Sequence, residues 1–472
     1  MSDPARPAGT ISAGLPSQGK ASPAFSFAAL RSRVLRGSTW VLGGRIVTTV
    51  LGFVINVFLA RILTPGELGA YFTSYTLVIV GGIVAQLGLD LAVVRFVAAA
   101  LGTDRPEDAR SVVRMVFGVG TVGVVLVAVA VLAGGGWLAR NVYHSPLLAG
   151  VIPIAAGWLA VAALQSLIVE TWRAFQRFDL ATLFDQFLVD VVAATVFGAF
   201  FVLSARPGLA NVLLLFTVFS GGVMIIGGAL LVPRVRRLPP GGRVSRREIF
   251  QMAWPALITN FSIYLLSTGV DLLVLGAFQP QQQVGIYGAA SRLMMLVSTP
   301  FLIMQGVTPP IIAELYAQGR RAELERTLRA VSTLAGLPAF LMLVVFMLFG
   351  TDVMGLVYGP FYRQGALILT ILSAGRVVAV ICGSSGVTLM MTGHQRALMN
   401  LTILTGIASV LGGIVMAPRF GGVGVAASTA SVATVQNILM YVLAKRYTGV
   451  RTIAELSVRP FLQFLFGRGL QP

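Results

Sequence analysis

The sequence predicts an all-α polytopic membrane protein, with about 12 transmembrane helices in two homologous six-helix lobes and both termini cytoplasmic. Three observations lead to this fold class. The 472-residue chain is 56% hydrophobic but only 11% charged, with a mean hydropathy of +0.86. Long apolar runs recur along it, and short motifs at their ends repeat in the second half. A soluble domain of this length needs far more charge to cover its surface, so that class is excluded.

Apolar runs long enough to cross a bilayer define the predicted helices. A spanning helix needs about 20 apolar residues. Twelve runs qualify, namely 38–60, 69–89, 115–133, 149–169, 183–203, 209–232, 252–276, 284–307, 331–349, 366–390, 398–416 and 422–443. Pro255, Pro300 and Pro338 lie inside such runs. They would kink helices, either as hinges or only to suit packing.

Positive charge gives the predicted orientation. With a cytoplasmic N-terminus, most of the 35 Lys and Arg residues fall in inside segments. Those that fall outside are Arg61, Arg140, Arg206, Arg363 and Arg419. Membrane proteins carry such an excess of Lys and Arg on the cytoplasmic side. The net charge of +18 therefore indicates a membrane-flanking face, and no aromatic-basic interleaving points to a nucleic acid.

Three short motifs that flank runs in the first half recur at equivalent loops in the second. The matched pairs are 63–71 with 279–287, 142–143 with 357–358, and 174–177 with 393–396. Agreement of three matches at nearly one offset predicts two homologous halves. Because each half crosses the membrane an even number of times, the halves are related by an axis along the membrane normal.

These features divide the chain into five predicted segments. The first residues are rich in Ser, Pro, Gly and Ala, which is typical of a disordered tail rather than of a signal peptide. The segments are a disordered cytoplasmic tail (1–30), an N-terminal six-helix lobe (31–232), a basic cytoplasmic linker (233–248), a C-terminal six-helix lobe (249–446) and a cytoplasmic C-terminal tail (447–472).

Three arginines lie inside apolar runs: Arg45, Arg292 and Arg376. An arginine at mid-membrane costs about 2.5–3.5 kcal/mol on insertion scales, so such residues are normally kept for function. One interpretation is a cationic cavity that binds a phosphate or diphosphate, because the guanidinium presents a fork of donors. The other is that each arginine pairs with a buried carboxylate, such as Asp185, Asp190 or Asp271.

Polar stripes in the first and seventh runs support the cavity. Arg45, Thr49, Gly52 and Asn56 share one helical face, and Asn260, Tyr264, Ser267 and Asp271 share another with the same spacing. A stripe that faced lipid would leave polar groups without partners. Both stripes are therefore predicted to line a shared interior cavity. Asp271 and Asp190 are ion-coupling candidates, with salt bridges to the arginines as the alternative.

Other kinds of site find little support. The single cysteine, Cys382, and two histidines, His144 and His394, can form neither a disulfide framework nor a His/Cys metal cluster. Residues 118–123 fit GxGxxG but lie within the third run, where close packing of small residues is the better interpretation. No hydrolase or ATPase signature occurs. We therefore expect no cofactor, no catalytic residues and no enzyme.

Several short sequence blocks follow one another along the chain. They are Gly-Ser-Thr-Trp at 37–40, Leu-Ala-Arg-Ile-Leu-Thr-Pro-Gly-Glu-Leu-Gly-Ala-Tyr at 59–71, Gly-Leu-Asp at 88–90, Asp-Leu-Leu-Val-Leu-Gly at 271–276, Val-Gly-Ile-Tyr at 284–287, Pro-Pro-Ile-Ile-Ala at 309–313 and Gly-Gly-Val-Gly-Val-Ala at 421–426. In these blocks and their order the chain resembles the polysaccharide (oligosaccharide–lipid) flippases of the multidrug/oligosaccharidyl-lipid/polysaccharide exporter superfamily. The resemblance extends over nearly all of the chain beyond the tail.

The resemblance implies a flippase that moves a polyprenyl-diphosphate-linked oligosaccharide across the bacterial inner membrane by alternating access. Its partners would be that substrate, the bilayer and enzymes such as a glycan polymerase and glycosyltransferases. The positions that could supply the cationic cavity of the family are Arg45, Arg292 and Arg376. The two additional C-terminal helices of the peptidoglycan-precursor flippases find no counterpart here, which argues against that cargo.

Two other functions stay open from the sequence. A multidrug/cation antiporter of the same superfamily would need a net acidic cavity, whereas the intramembrane charges here are three arginines against three aspartates. A polytopic glycosyltransferase or polymerase typically needs a large outside loop or a cytoplasmic domain, and the outside loops near 135–148 and 350–365 are short.

Overall fold

The computed structural model describes residues 27–242, 244–265, 268–305 and 308–454, and the described residues form helices without a strand. The α-helices are α1 (Phe27–Ile62), α2 (Pro65–Gln86), α3 (Leu89–Gly102), α4 (Pro106–Asn141), α5 (Pro146–Ala174), α6 (Phe178–Thr182), α7 (Leu188–Val202), α8 (Gly208–Arg236), α9 (Arg246–Leu265), α10 (Thr268–Phe278), α11 (Gln281–Gln305), α12 (Thr308–Ala317), α13 (Arg321–Tyr358), α14 (Ala366–Cys382), α15 (Ser385–Met391) and α16 (Gln395–Thr448).

Within the described residues, every predicted run lies mainly on helix, although residues 87–88 and 383–384 interrupt the second and tenth runs. Among the described residues, nine helices are long and apolar enough to cross a membrane. One of them, α16, is two helices in sequence, because Gly421 breaks it with φ 56° and ψ −142°. The apolar part of α1 and the pair α9–α10 supply the remaining spans. The all-helical fold is thus confirmed, whereas the cytoplasmic placement of the termini stays a prediction.

The start of α2 shows why the motif at 63–71 ends one helix and begins another. Thr64 caps α2 in a capping box: its hydroxyl accepts from the Glu67 amide, and the Glu67 carboxylate accepts from the Thr64 amide at 2.9 Å. Pro65 follows at the first helical position, where its missing N–H is not needed. Local chemistry therefore sets the helix boundary before any packing does.

The two lobes meet most closely where α2 crosses α11, at reciprocal glycines. A Cβ on Gly69 would lie 1.8 Å from the Gln281 carbonyl oxygen, and a Cβ on Gly285 would lie 2.6 Å from the Pro65 carbonyl oxygen. Gly69 and Gly285 are 216 residues apart, as are Pro65 and Gln281. The contact is therefore symmetric about the axis that relates the halves, as in a two-fold interface. We call it the α2–α11 seam.

A second contact between the lobes lies at the other end of the bundle. A Cβ on Gly88, between α2 and α3, would lie 2.0 Å from the Ala253 carbonyl oxygen of α9. Two residues on, Asp90 accepts a hydrogen bond from Asn260 Nδ2 at 3.0 Å. We call this the α3–α9 contact. Between the two contacts, α2 runs from Gly69 to Gln86, or roughly 25 Å of helix, so the lobes touch near both ends of α2.

The predicted linker and the described residues after α16 both contact the helices. The predicted tails lie mostly outside the described residues, which are 27–454 with short gaps. The predicted linker packs on α4, where Arg110 donates to the Leu238 carbonyl at 2.7 Å and Ser111 donates to that of Gly242 at 2.9 Å. Beyond α16, Thr452 is fully buried and donates to the Cys382 carbonyl at 2.7 Å. The five domain limits themselves stay predictions.

Candidate functional site

Arg292 lies at the interface between the lobes. It follows Gln281, Gly285 and Gly288 along the face of α11 that packs on α2. Its guanidinium carbon is 5.7 Å from the centroid of the Phe72 ring and 5.3 Å from that of Tyr75, both on α2. Both distances are within the range of cation–π interactions. The second lobe thus supplies the cation and the first lobe supplies the rings that hold it.

The donors of Arg292 are free for a ligand within the described part of the chain. Its Nε is buried without a hydrogen-bond partner, and no carboxylate of a described residue forms an ion pair with it. Asp185, one of the predicted partners, pairs with Arg173 at 2.8 Å. Aromatic rings stabilise a guanidinium through its face and leave its N–H groups unused at the edge. Such an edge fits the oxygens of a phosphate.

An aromatic cluster of the first lobe supports the two rings. Trp158 and Phe216 stack at 5.2 Å, and Tyr75 packs on Trp158 at 5.8 Å. Tyr71, one turn before Tyr75, stacks on Phe216 at 5.8 Å. This cluster was not predicted from the sequence, because only polar and charged residues were considered as candidates for the site. The spacing of Tyr71 and Tyr75 on one face of α2 was the available signal.

Arg376 lies on α14 in a different environment. It lines a cavity of about 510 Å³ in the second lobe. The α11 residues that line this cavity are Met294, Ser298, Phe301, Leu302 and Gln305. Because successive residues of an α-helix are rotated by 100° about its axis, these positions lie on the side of α11 opposite Arg292. The two arginines are therefore separated by the body of α11, and the described residues do not unite them in one cavity wall.

Asp271 is near Arg376 but is already satisfied. It is buried, and its two carboxylate oxygens accept hydrogen bonds from the Tyr287 hydroxyl at 2.6 Å and from Thr429 Oγ1 at 3.0 Å. Arg376 acts on it electrostatically, without an ion pair between these described residues. The second ion-coupling candidate, Asp190, is also buried, at 8% exposed, on α7 of the first lobe.

The other predicted site residues have varied positions. Asn56 donates to the Gly52 carbonyl of its own helix at 2.6 Å, and its Oδ1 is buried without a partner. Asn260 bonds to Asp90 in the α3–α9 contact, so it joins the lobes. Tyr264 hydrogen-bonds Thr76 and lies within electrostatic reach of Arg292. The side chain of Arg45, and Ser267 as a whole, lie outside the described residues. The substrate role of all these residues stays a prediction.

Comparison with known proteins decides the family. Residues 34–316, more than half of the chain, match the family model described as "polysaccharide biosynthesis protein". The chain belongs to this family. The flippase resemblance is thereby confirmed, and with it a multi-pass membrane protein of a transporter family rather than an enzyme family.

A relative with a similar sequence agrees with the assignment to this polysaccharide biosynthesis family. The chain is 21% identical over 245 residues to a probable low-salt glycan biosynthesis flippase of the archaeon Haloferax volcanii. That match spans 51% of this chain and 50% of the relative, so the match extends over only half of the relative's length.

Two solved structures share the fold. An inward-facing multidrug resistance MATE family transporter of the MOP superfamily gives a TM-score of 0.70 at 16% identity, covering 85% of this chain and 94% of its own. The lipid II flippase MurJ in an inward closed conformation gives 0.67 at 14% identity, covering 90% and 89%. At these identities the likeness extends to the fold alone, which in both is a two-lobed helical arrangement.

Proposed function

We propose that this family member is a flippase that moves a polyprenyl-diphosphate-linked oligosaccharide across the bacterial cytoplasmic membrane for polysaccharide biosynthesis. The observation that carries the proposal is the Arg292 guanidinium, which is held between lobes by two aromatic rings with its donors unused. An anionic group is the partner that such a cation requires. The diphosphate of a lipid carrier supplies one at the right depth, while the polyprenyl chain stays in lipid.

The two contacts between the lobes support alternating access as the mechanism. Opening toward the outside requires the α2–α11 seam to separate, and opening toward the cytoplasm requires the α3–α9 contact to separate. Rings and cation belong to different lobes, so separation of the seam also withdraws Phe72 and Tyr75 from Arg292. The hold on the diphosphate therefore weakens as the outside opens, which favours release there.

Ion coupling belongs to Asp190 rather than to Asp271 in this proposal. Asp271 already accepts two hydrogen bonds, which stabilise its charged form. Asp190 is buried on α7 and receives no hydrogen bond from a described residue. A carboxylate of that kind changes its protonation state at the lowest cost.

A reconstituted assay tests the proposed function. Purified protein in proteoliposomes is expected to expose an added polyprenyl-diphosphate-linked oligosaccharide to an external lectin faster than protein-free liposomes do. The same vesicles are expected not to exchange the cationic dye ethidium for protons. Ethidium exchange without lipid-linked glycan movement would instead support the multidrug/cation antiporter, whose cationic cargo Asp90 and Asp190 of the first lobe would suit.

Tyr75 gives a specific prediction about the rings. Replacing Tyr75 with leucine is expected to weaken binding of the lipid-linked diphosphate by about three- to tenfold, because a cation–π contact is worth about 0.5–1 kcal/mol or more when desolvated. Tyr75→Phe keeps the ring and is expected to bind like the wild type. Binding is measured by fluorescence quenching in nanodiscs. Equal losses in both variants would assign the effect to the hydroxyl instead.

A further inference from the structure

The cavity that contains Arg376 is a second site, separate from the interface that holds Arg292. It lies wholly in the second lobe, between α11, α14, α15 and α16. Arg376 and Thr429 line its inner part, and Met390 and Leu398 lie toward the end where α15 finishes and α16 begins. That end is the predicted cytoplasmic one. Its volume of about 510 Å³ is ordinary for a ligand pocket.

Three polar side chains that line the cavity have no hydrogen-bond partner within the described part of the chain. Arg376 forms neither a hydrogen bond nor an ion pair there, since Asp271 is occupied by Tyr287 and Thr429. Ser298 Oγ is buried and unpaired. Gln436 is only 7% exposed and likewise receives no bond from a described residue. Buried polar groups are nearly always satisfied, so the Ser298 hydroxyl points to a ligand, and the Arg376 guanidinium and Gln436 amide line the same cavity.

The chemistry of the lining limits what that ligand is. Among the described residues that line the cavity, Arg376 is the only charged one; the polar remainder is amides and hydroxyls, and Met294 and Phe301 provide apolar walls. One guanidinium fork matches one carboxylate in a bidentate pair. Amides and hydroxyls match sugar hydroxyls, which both donate and accept. A diphosphate carries more negative charge than this site neutralises.

We propose that the second-lobe cavity binds a carboxylate-bearing sugar of the transported glycan, with Arg376 on the carboxylate and Gln436 and Ser298 on hydroxyls. This inference rests on the proposed function, since it assigns the diphosphate to Arg292 and the acidic sugar to the opposite side of α11. The chain is then selective for glycans of uronic-acid type over neutral ones. Arg292 supplies affinity for every lipid-linked diphosphate, and Arg376 supplies the choice among glycans.

Two probes that differ in one group test the selectivity. Both are polyprenyl-diphosphate-linked oligosaccharides long enough to reach around α11, one ending in glucuronic acid and the other in glucose, and binding is measured in nanodiscs. Wild-type protein is expected to bind the acidic probe about 10- to 100-fold more tightly, which is the usual strength of hydrogen bonds to a charged group. Arg376→Gln is expected to remove that preference without weakening the neutral probe.

Further variants separate this inference from the function on which it rests. Arg292→Gln is expected to weaken both probes by the same factor and to leave the preference intact. Arg376→Lys keeps the charge without the fork and is expected to retain part of the preference, which guards against a folding defect in Arg376→Gln. Arg363→Gln, at an exposed position on the predicted outer side, is the matched control. Free glucuronate is expected to compete only with the acidic probe.

The outcomes are distinguishable. If the wild type binds both probes equally, or if Arg376→Gln weakens both by the same factor, the acidic-sugar site is refuted while a flippase driven by Arg292 stands. If neither probe binds to the wild type and Arg292→Gln changes nothing, the proposed function itself fails.

Discussion

Replacing Arg292 with glutamine is expected to abolish movement of the lipid-linked oligosaccharide while the protein still inserts and folds. The guanidinium is held by Phe72 and Tyr75 rather than by a carboxylate, so its removal leaves no opposite charge stranded in the interior. The variant loses charge-assisted hydrogen bonds to the diphosphate. We expect binding to weaken by about 10- to 100-fold, measured with the proteoliposome assay and with nanodisc binding.

Two controls accompany the Arg292 variant. Arg292→Lys keeps the charge and is expected to retain weak binding, because an ammonium lacks the planar fork. Arg140→Gln removes an exposed arginine at the end of α4 and is expected to transport normally. Normal export by Arg292→Gln would remove the diphosphate from this site, and a loss of folded protein would show that the cation has a structural role instead.

The second large effect is expected at the α2–α11 seam. Gly69→Ala adds a Cβ that would lie 1.8 Å from the Gln281 carbonyl oxygen, a backbone atom that cannot rotate away. The lobes must therefore move apart at this end, and the state in which the seam is closed becomes unfavourable. Overpacking of this kind typically costs about 1–3 kcal/mol, which corresponds to a decrease in transport of about tenfold or more.

Gly82→Ala is the matched control, because Gly82 lies on the same helix and a Cβ there meets no atom within 4 Å. Spin labels on cysteines at Arg206 and Gln364, exposed positions of the two lobes, report the opening in a Cys382→Ala background. The distance between labels is expected to lengthen in Gly69→Ala and to stay unchanged in Gly82→Ala. An unchanged distance in Gly69→Ala, with normal transport, would show that the seam does not close during the cycle.

The repeat at offset 216 shows how far the sequence reaches into the tertiary structure. Matches at 63–71 and 279–287 predicted homologous halves, and the reciprocal packing of Gly69 and Gly285 is the contact that this symmetry requires. The closeness of the contact could not be predicted, because a glycine in an apolar helix is compatible with many kinds of packing. Asp90 is a similar case, because its bond to Asn260 across the lobes appears only in the fold.

The sequence by itself determined the membrane class, the helical spans and the two-lobe repeat, since these follow from hydrophobic length and from recurrence along the chain. It also singled out Arg292 and Arg376, because a charge inside an apolar run is visible without coordinates. Only the tertiary structure decided their surroundings. Whether a buried arginine meets a ring, a carboxylate or a cavity depends on which helix faces it. Arg292 lies on one side of α11, and the cavity that contains Arg376 lies on the other side. This arrangement depends on which helices pack around α11, and those helices are distant in sequence.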